Sequence, residues 1–363
     1  MTESDRTYVY VSNATDGAIG SYRLRADGTL QPGAPARAAP AVGPLAVSPD
    51  RRFLYAAVRA APYTVHVYAI DPASGALTPL AVAPLAASVP YLSLDRSGRY
   101  LFSASYHSHL VSVNALGADG CVAPEPPQLI PVGRNAHSIR IDASNRYVYV
   151  PTLGSDQIFQ FVFDPESGRL SSNTPAVAQM QPGTGPRHFV TSGDNRFVYM
   201  LSELLATVST FALDGATGLL SEIGSASGLP AGTPLVPGAP RVALGQADTA
   251  LPRDRSRDIW AADIHLTPNG KFLYISERSS SSLAAFSVNA ATGKLTYLGS
   301  TPTERQPRGF AIAPDGRFLV ACGETSDTVS VYAINEASGA LLPLRKYPGG
   351  KGANWIEIVG FDA

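Results

Sequence analysis

Gln306-Pro-Arg-Gly-Phe-Ala-Ile-Ala-Pro-Asp-Gly-Arg-Phe-Leu-Val-Ala-Cys-Gly-Glu-Thr-Ser-Asp-Thr-Val-Ser-Val-Tyr-Ala-Ile334 divides into three short apolar runs separated by turn residues. Gly309 to Ala313 is the first run. Pro314-Asp315-Gly316 follows, and Asp-Gly tolerates the positive φ values of a tight hairpin turn. Arg317 to Cys322 is the return strand, and Thr328 to Ile334 is a third. Asn335-Glu-Ala-Ser-Gly339 turns the chain again before an outer run, Leu341-Leu342-Pro-Leu344. Four short antiparallel strands in about 40 residues have the size and order of one blade of a β-propeller.

The unit recurs along the chain. The first aromatic of each second strand is Tyr8, Phe53, Tyr100, Tyr147, Phe197, Phe272 or Phe318, at spacings of 45, 47, 47, 50, 75 and 46 residues. A turn glycine follows each of these anchors by 20 to 22 residues: Gly28, Gly75, Gly120, Gly168, Gly218, Gly293 and Gly339. Hairpin signals such as Ser48-Pro-Asp50 and Pro268-Asn-Gly270 precede the anchors in phase. Seven anchors with two phased turn signals predict an all-β, seven-bladed propeller of four-stranded antiparallel blades, with residues 1–363 as one domain.

Tyr8 lies too close to the start for an inner strand to precede it. Asn354-Trp-Ile-Glu-Ile-Val-Gly-Phe361 is an extended apolar pattern without a partner of its own. It is expected to close the ring by pairing with blade 1, which removes two open sheet edges. The 75-residue spacing between blades 5 and 6 reflects an irregular segment, about Gly224 to Asp258, rich in Gly, Pro and Ala and carrying Arg253, Arg255 and Arg257. Its position puts it on the face where outer strands hand over to inner ones, beside any site there.

Composition narrows the function. Formal net charge is −1 and no Lys/Arg-rich run occurs, which argues against nucleic acid as a partner. The start, Met-Thr-Glu-Ser-Asp-Arg6, has neither a basic region nor an apolar run, and no apolar segment is long enough to span a membrane. Two cysteines, Cys121 and Cys322, fall in distant blades, so a reducing cytoplasm is expected. The oligomeric state is left open between monomer and dimer.

In a repeat, positions that serve the scaffold look alike, and positions that serve a site differ. Ten residues before the anchors, blades 2 to 7 carry Gly43, Pro90, His137, Arg187, Ala262 and Arg308. Six residues after them, blades 1 to 7 carry Ala14, Arg59, Tyr106, Leu153, Glu203, Arg278 and Glu324. The inner strand runs from the first column down to the hairpin turn, and the second strand returns to the other column. Both columns therefore share one face, opposite the hairpin turns, and form a ring around the central channel. Arg59, Tyr106, His137, Arg187, Glu203, Arg278, Arg308 and Glu324 are the candidate ring. His188, Asp263 and His265 sit beside it; His265 lies inside an inner strand, so its side chain points either into the channel or into the core. His188 and His265 join Arg59, Tyr106, Arg308 and Glu324 as candidate substrate contacts.

Four arginines with few acidic partners favour a small anionic ligand, because guanidinium forks match phosphate and carboxylate oxygens. The bland alternative is a set of salt bridges to Glu203 and Glu324. Glu203, if ionised, can act as general base for water, and His137 can share or replace that role. His107-x-His109 is the one metal-like spacing, and it is too sparse to predict a metal; no cofactor is expected.

At these residues the chain resembles the lactonase family of seven-bladed propellers, and within it the bacterial propeller-type 6-phosphogluconolactonases. The matching stretches are Ala136-His-Ser-Ile139, Gly185-Pro-Arg-His-Phe189 with Ser202-Glu-Leu204, Trp260-Ala-Ala-Asp-Ile-His265 with Glu277-Arg278, Gln306-Pro-Arg-Gly-Phe310 and Val58-Arg59. The resemblance covers essentially the whole chain and maps the family's site onto His137, Arg187, Glu203 and Arg278. It implies hydrolysis of a sugar-acid lactone, with 6-phospho-D-glucono-1,5-lactone opened to 6-phosphogluconate as the first expectation. The same family contains carboxymuconate lactonizing enzymes, so a cycloisomerase on a muconate-type dicarboxylate is an alternative, as is a lactonase for an unphosphorylated sugar acid. A non-enzymatic propeller that binds protein partners on its top face is a further alternative. The chain departs from its relatives at Glu277, where Asn or Asp is frequent, and at Glu324, where an amide is common; Glu324 adds negative charge to the ring.

Overall fold

Each anchor aromatic dictates how its blade meets the next. In the computed structural model, which describes residues 6–123, 127–242 and 254–361, seven antiparallel sheets follow one another along the chain. Blade 7 runs outward through Gly309–Ile312, Phe318–Cys322, Thr328–Ile334 and Leu341–Pro348, as the opening stretch predicts. The second strands, such as Phe53–Val58 and Phe197–Ser202, are buried along their whole length. They are apolar on both faces because a neighbouring blade covers each face. Outer strands such as Leu295–Pro302 alternate toward solvent.

The two phased sequence signals are the halves of one joint. A Cβ on Gly75 of blade 2 would lie 2.2 Å from Tyr8 Cδ1 of blade 1, and one on Gly218 of blade 5 would lie 2.1 Å from Tyr147 Cδ1 of blade 4. The same contact seats Gly120 on Phe53, Gly168 on Tyr100, Gly293 on Phe197, Gly339 on Phe272 and, across the closure, Gly28 on Phe318. Gly75 and Gly218 also have φ of +72° and +73°, where a side chain is strained. The next inward-facing tyrosine adds a hydrogen bond. Tyr10, Tyr55, Tyr149 and Tyr274 donate their hydroxyls to the carbonyls of Gly75, Gly120, Gly218 and Gly339 at 2.8–2.9 Å.

The ring closes as expected. Ala353–Gly360 is the inner strand of blade 1 and pairs antiparallel with Thr7–Asn13, Thr7 opposite Gly360 and Ser12 opposite Trp355. The irregular segment is shorter than the sequence suggests. The outer strand of blade 5 continues to Ser227, so the connection spans 228–260. Val236 forms a parallel bridge to Asp258, the Gly238 amide donates to the Leu204 carbonyl, and the Arg257 guanidinium donates to the Pro234 carbonyl. Arg253 lies outside the described residues. Among the described residues no helix is long and apolar enough to cross a membrane.

The closing strand buries Ala353, Asn354, Trp355, Ile356 and Val359. Ending the chain at Gly352 exposes their partners and the inner edge of Thr7–Asn13. A thermal melt should show the truncated protein unfolding about 10 °C or more lower, or without a cooperative transition. An unchanged melting temperature would refute closure by this strand.

Candidate active site

The two sequence columns meet around one end of the channel. All eight candidate ring residues line a cavity of about 960 Å³ on the face opposite the inner hairpin turns. Local backbone irregularity puts several of them there. In blades 2, 5 and 6 the inner strand slips register between Val42 and Leu45, Pro186 and Phe189, and Ala261 and Ile264. Each slip is a bulge that carries the first-column residue, and a bulge re-aims side chains that a regular strand would send into the neighbouring blades. In blade 4 the regular inner strand is only Arg140–Ile141, and His137 precedes it, its amide donating to the Pro151 carbonyl.

At one pole of the cavity Glu203 is clamped by two guanidiniums. Its Oε2 accepts from Arg187 Nε at 2.7 Å and lies 3.2 Å from Arg278 Nη2, and all three side chains are buried. Among the described residues Oε1 accepts no hydrogen bond. Arg187 Nη1 also donates to the Ala262 carbonyl, and Arg278 donates to the Trp260 and Ala261 carbonyls at 3.0 and 3.1 Å. Burial, then Arg278, pulls Arg187 down to about 9, so it stays protonated at neutral pH. Arg278 sits 3.7 Å from the Trp260 ring centre, and Arg241, from the 228–260 connection, sits 4.3 Å from it. Both cations pack over the indole. The Trp260 amide is fixed by Glu277 Oε1 at 2.7 Å, which gives Glu277 a structural role.

The charged pair of the next blade is looser. Arg308 Nε is 3.6 Å from Glu324 Oε1, and its Nη1 is 3.4 Å from the Asn354 carbonyl. Asn354 was missed by the columns, yet it is their blade 1 member. Ile358 pairs with Val9 as Val47 pairs with Leu54, and Asn354 and Gly43 lie four residues before them. The register of the closing strand was the missing signal. Trp260, His107 and Arg241 also line the cavity, and the Tyr106 hydroxyl donates to the Arg241 carbonyl at 3.1 Å.

His137 forms the floor. Burial, then the charge of Arg187, holds its imidazole well below the usual range, so it is neutral, and its buried Nδ1 has no partner among the described residues. His188 lies edge-on to it at 5.1 Å, with Tyr91 4.9 Å and Trp355 5.7 Å from His188. These rings plug the channel. His188 and His265, expected beside the ring, are not on the cavity wall. His188 belongs to the plug itself, and both residues line a second cavity of about 540 Å³ at the hairpin-turn side. His188 Nδ1 is 2.9 Å from Asp263 Oδ1, and His265 Nε2 is 3.1 Å from Asp263 Oδ2. Asp263 and His265 both face the channel, and in the buried Asp263 the pull of His265 and His188 outweighs desolvation and keeps it ionised. His109 Nδ1 accepts the Asn135 amide, so His109 serves the turn, whereas His107 faces the cavity. Among the described residues no group of three or more His, Cys, Asp or Glu is arranged to hold a metal.

A ring of arginines about a buried glutamate and a neutral histidine, on a seven-bladed scaffold, finds its counterparts among known proteins. Residues 8–358 match the family model described as "Lactonase, 7-bladed beta-propeller". The chain belongs to the lactonase family of seven-bladed β-propellers. It is 38% identical over 354 residues to a 6-phosphogluconolactonase of Pectobacterium carotovorum, covering 98% of this chain and 99% of that one. A 6-phosphogluconolactonase of Serratia proteamaculans is 38% identical over 351 residues, covering 97% and 98%. Among solved structures, the periplasmic gluconolactonase PpgL of Pseudomonas aeruginosa superposes on this family member with a TM-score of 0.84 at 28% identity, covering 97% and 99%.

The buried histidines set a pH dependence. Burial, then Arg187, lowers His188 to about 3, against an ordinary value of 6.5, and His137 shifts the same way. Below about 6.5 the unfolded chain takes up protons that the native state refuses, so stability falls with pH by ~1.4 kcal/mol per pH unit for each histidine. Asp263, depressed in the native state, keeps its contribution until the pH drops below about 4. Urea unfolding at pH 7, 6 and 5 should show this slope, and His188→Gln should remove about half of it. Equal stability at pH 7 and 5 would contradict the arrangement.

Proposed function

We propose that this protein is a lactonase that opens 6-phospho-D-glucono-1,5-lactone to 6-phosphogluconate. The observation that carries the reading is the Glu203 carboxylate clamped between Arg187 and Arg278 on the wall of a cationic cavity. Five arginines and two glutamates line that cavity, a balance that suits an anionic substrate. The names of the Pectobacterium and Serratia relatives support the choice of lactone.

The chemistry follows from the geometry. Glu203 Oε1 takes a proton from a water, whose oxygen attacks the lactone carbonyl. Arg187 and Arg278 are held by protein acceptors before substrate arrives, so they meet the developing oxyanion without reorganising. When the ring C–O bond breaks, the departing oxygen takes the proton held by Glu203, and the new carboxylic acid releases its own proton to solvent. His137, neutral on the same wall, orients the water. An anionic substrate also offsets the arginine charges that depress His137, so binding raises its basicity.

A second reading, hydrolysis of an unphosphorylated gluconolactone, is favoured by the likeness to PpgL and by the carboxylate of Glu324 on the wall. We assign the protein to the cytoplasm, because Cys121 and Cys322 are both free thiols, which suits a reducing compartment.

Glu203→Gln tests the base. Proton release followed by pH-stat on 6-phospho-D-glucono-1,5-lactone should show kcat lowered about 10³-fold in folded protein, within the range typical of a general base. Near wild-type kcat would move the role to His137.

A further inference from the structure

The arginines of the cavity fall into two classes. Arg187 and Arg278 each have two guanidinium nitrogens fixed by Glu203 and by backbone carbonyls, which leaves the third to meet substrate. Arg59 and Arg308 do not. Arg308 is held by two long contacts, 3.6 Å to Glu324 and 3.4 Å to the Asn354 carbonyl. Arg59 Nε is buried and has no acceptor among the described residues.

Arg59 is nonetheless built in. A Cβ on Gly43 would lie 2.6 Å from Arg59 Cδ and 3.3 Å from its Cγ. The glycine at this bulge therefore leaves a slot for the arginine stem, which fixes where the guanidinium can go. Burial first, and then the charge of Arg308, pulls Arg59 down to about 10, while Glu324 opposes them. Two cations kept near each other with an orphaned buried donor are costly unless an anion completes them. Glu324 is the poor substitute: its contact is long and 30% of its side chain is exposed.

We propose that Arg59 and Arg308 form a phosphate-monoester subsite, which places the lactone carbonyl at the Glu203 pole. Phosphate oxygens accept from both guanidiniums, including Arg59 Nε, and Glu324 gives way to solvent. The subsite is thus the specificity element of the cavity, distinct from the pair that faces the reacting carbonyl. The assignment rests on the phosphorylated-lactone reading above.

The test is a preference ratio: kcat/KM for 6-phospho-D-glucono-1,5-lactone divided by kcat/KM for D-glucono-1,5-lactone. Arg59→Met should lower this ratio about 100-fold, as expected for loss of a charge-assisted fork to one substrate. Glu324→Gln, which removes the competing carboxylate, should raise it about threefold or more. Arg187→Met should depress both substrates and leave the ratio within about threefold. An unchanged ratio in Arg59→Met, with both rates lowered in proportion, would overturn the subsite. If the wild-type protein does not act on the phosphorylated lactone, the functional reading fails, and the subsite is judged by calorimetric titration with inorganic phosphate. Binding by the wild type that is lost in Arg59→Met sustains it. No binding by the wild type, or equal binding by the variant, overturns it.

Discussion

The structure depends on an aromatic ring lying against a glycine. In every blade the first aromatic of the second strand occupies the space where the turn glycine of the following blade lacks a side chain. The contact is apolar, close and repeated around the ring, and tyrosine hydroxyls fasten four of the joints through the glycine carbonyl. Because each joint links neighbours only, the assembly needs its last joint, Gly28 on Phe318, and the closing strand Ala353–Gly360 to become a ring.

Closure has a functional consequence. It brings Asn354 and Trp355 into the channel, one beside Arg308 in the upper cavity and the other in the plug beneath it. The plug of His137, His188, Tyr91 and Trp355 draws on four different blades and divides the axis into two cavities. One end is left cationic and is rimmed by Arg241, Val242 and Trp260 of the connection between blades 5 and 6. The other is lined by the Asp263 network and the inner hairpin turns.

Electrostatics then divides the upper cavity. Burying Arg187, Arg278 and Glu203 together is expensive, and tight mutual hydrogen bonding makes it tolerable. That cost is the condition of preorganisation: donors already fixed do not have to be recruited when charge develops on a substrate. Arg59 and Arg308 lack such partners, which makes them binding groups of a different kind. Salt bridging and the proposed base chemistry, which look like rivals in the sequence, are compatible at Glu203: one oxygen serves the arginines and the other does not.

The blade count, the strand order, the closure and the face that carries the ring were legible in the sequence. Each follows from local periodicity, from turn chemistry or from a strand left without a partner. The columns also named eight residues that share one cavity, because residues at equal offsets from a repeated anchor occupy equal positions in a ring. What lay beyond reach depended on departures from regularity. Bulges at Arg187-His188 and Ala262-Asp263 break the alternation from which side-chain direction is read, so spacing set His188 beside the ring when it lies in the plug, and left undecided that Asp263 and His265 line the cavity beyond it. Asn354 became comparable with Gly43 only through the register of a pairing between strands more than 300 residues apart. That Glu203 meets Arg278 of the next blade as well as Arg187 of its own, and which arginines were left with open donors, was decided by how neighbouring blades pack. Linear order carries no record of contacts between blades, because they exist only once the blades are packed side by side.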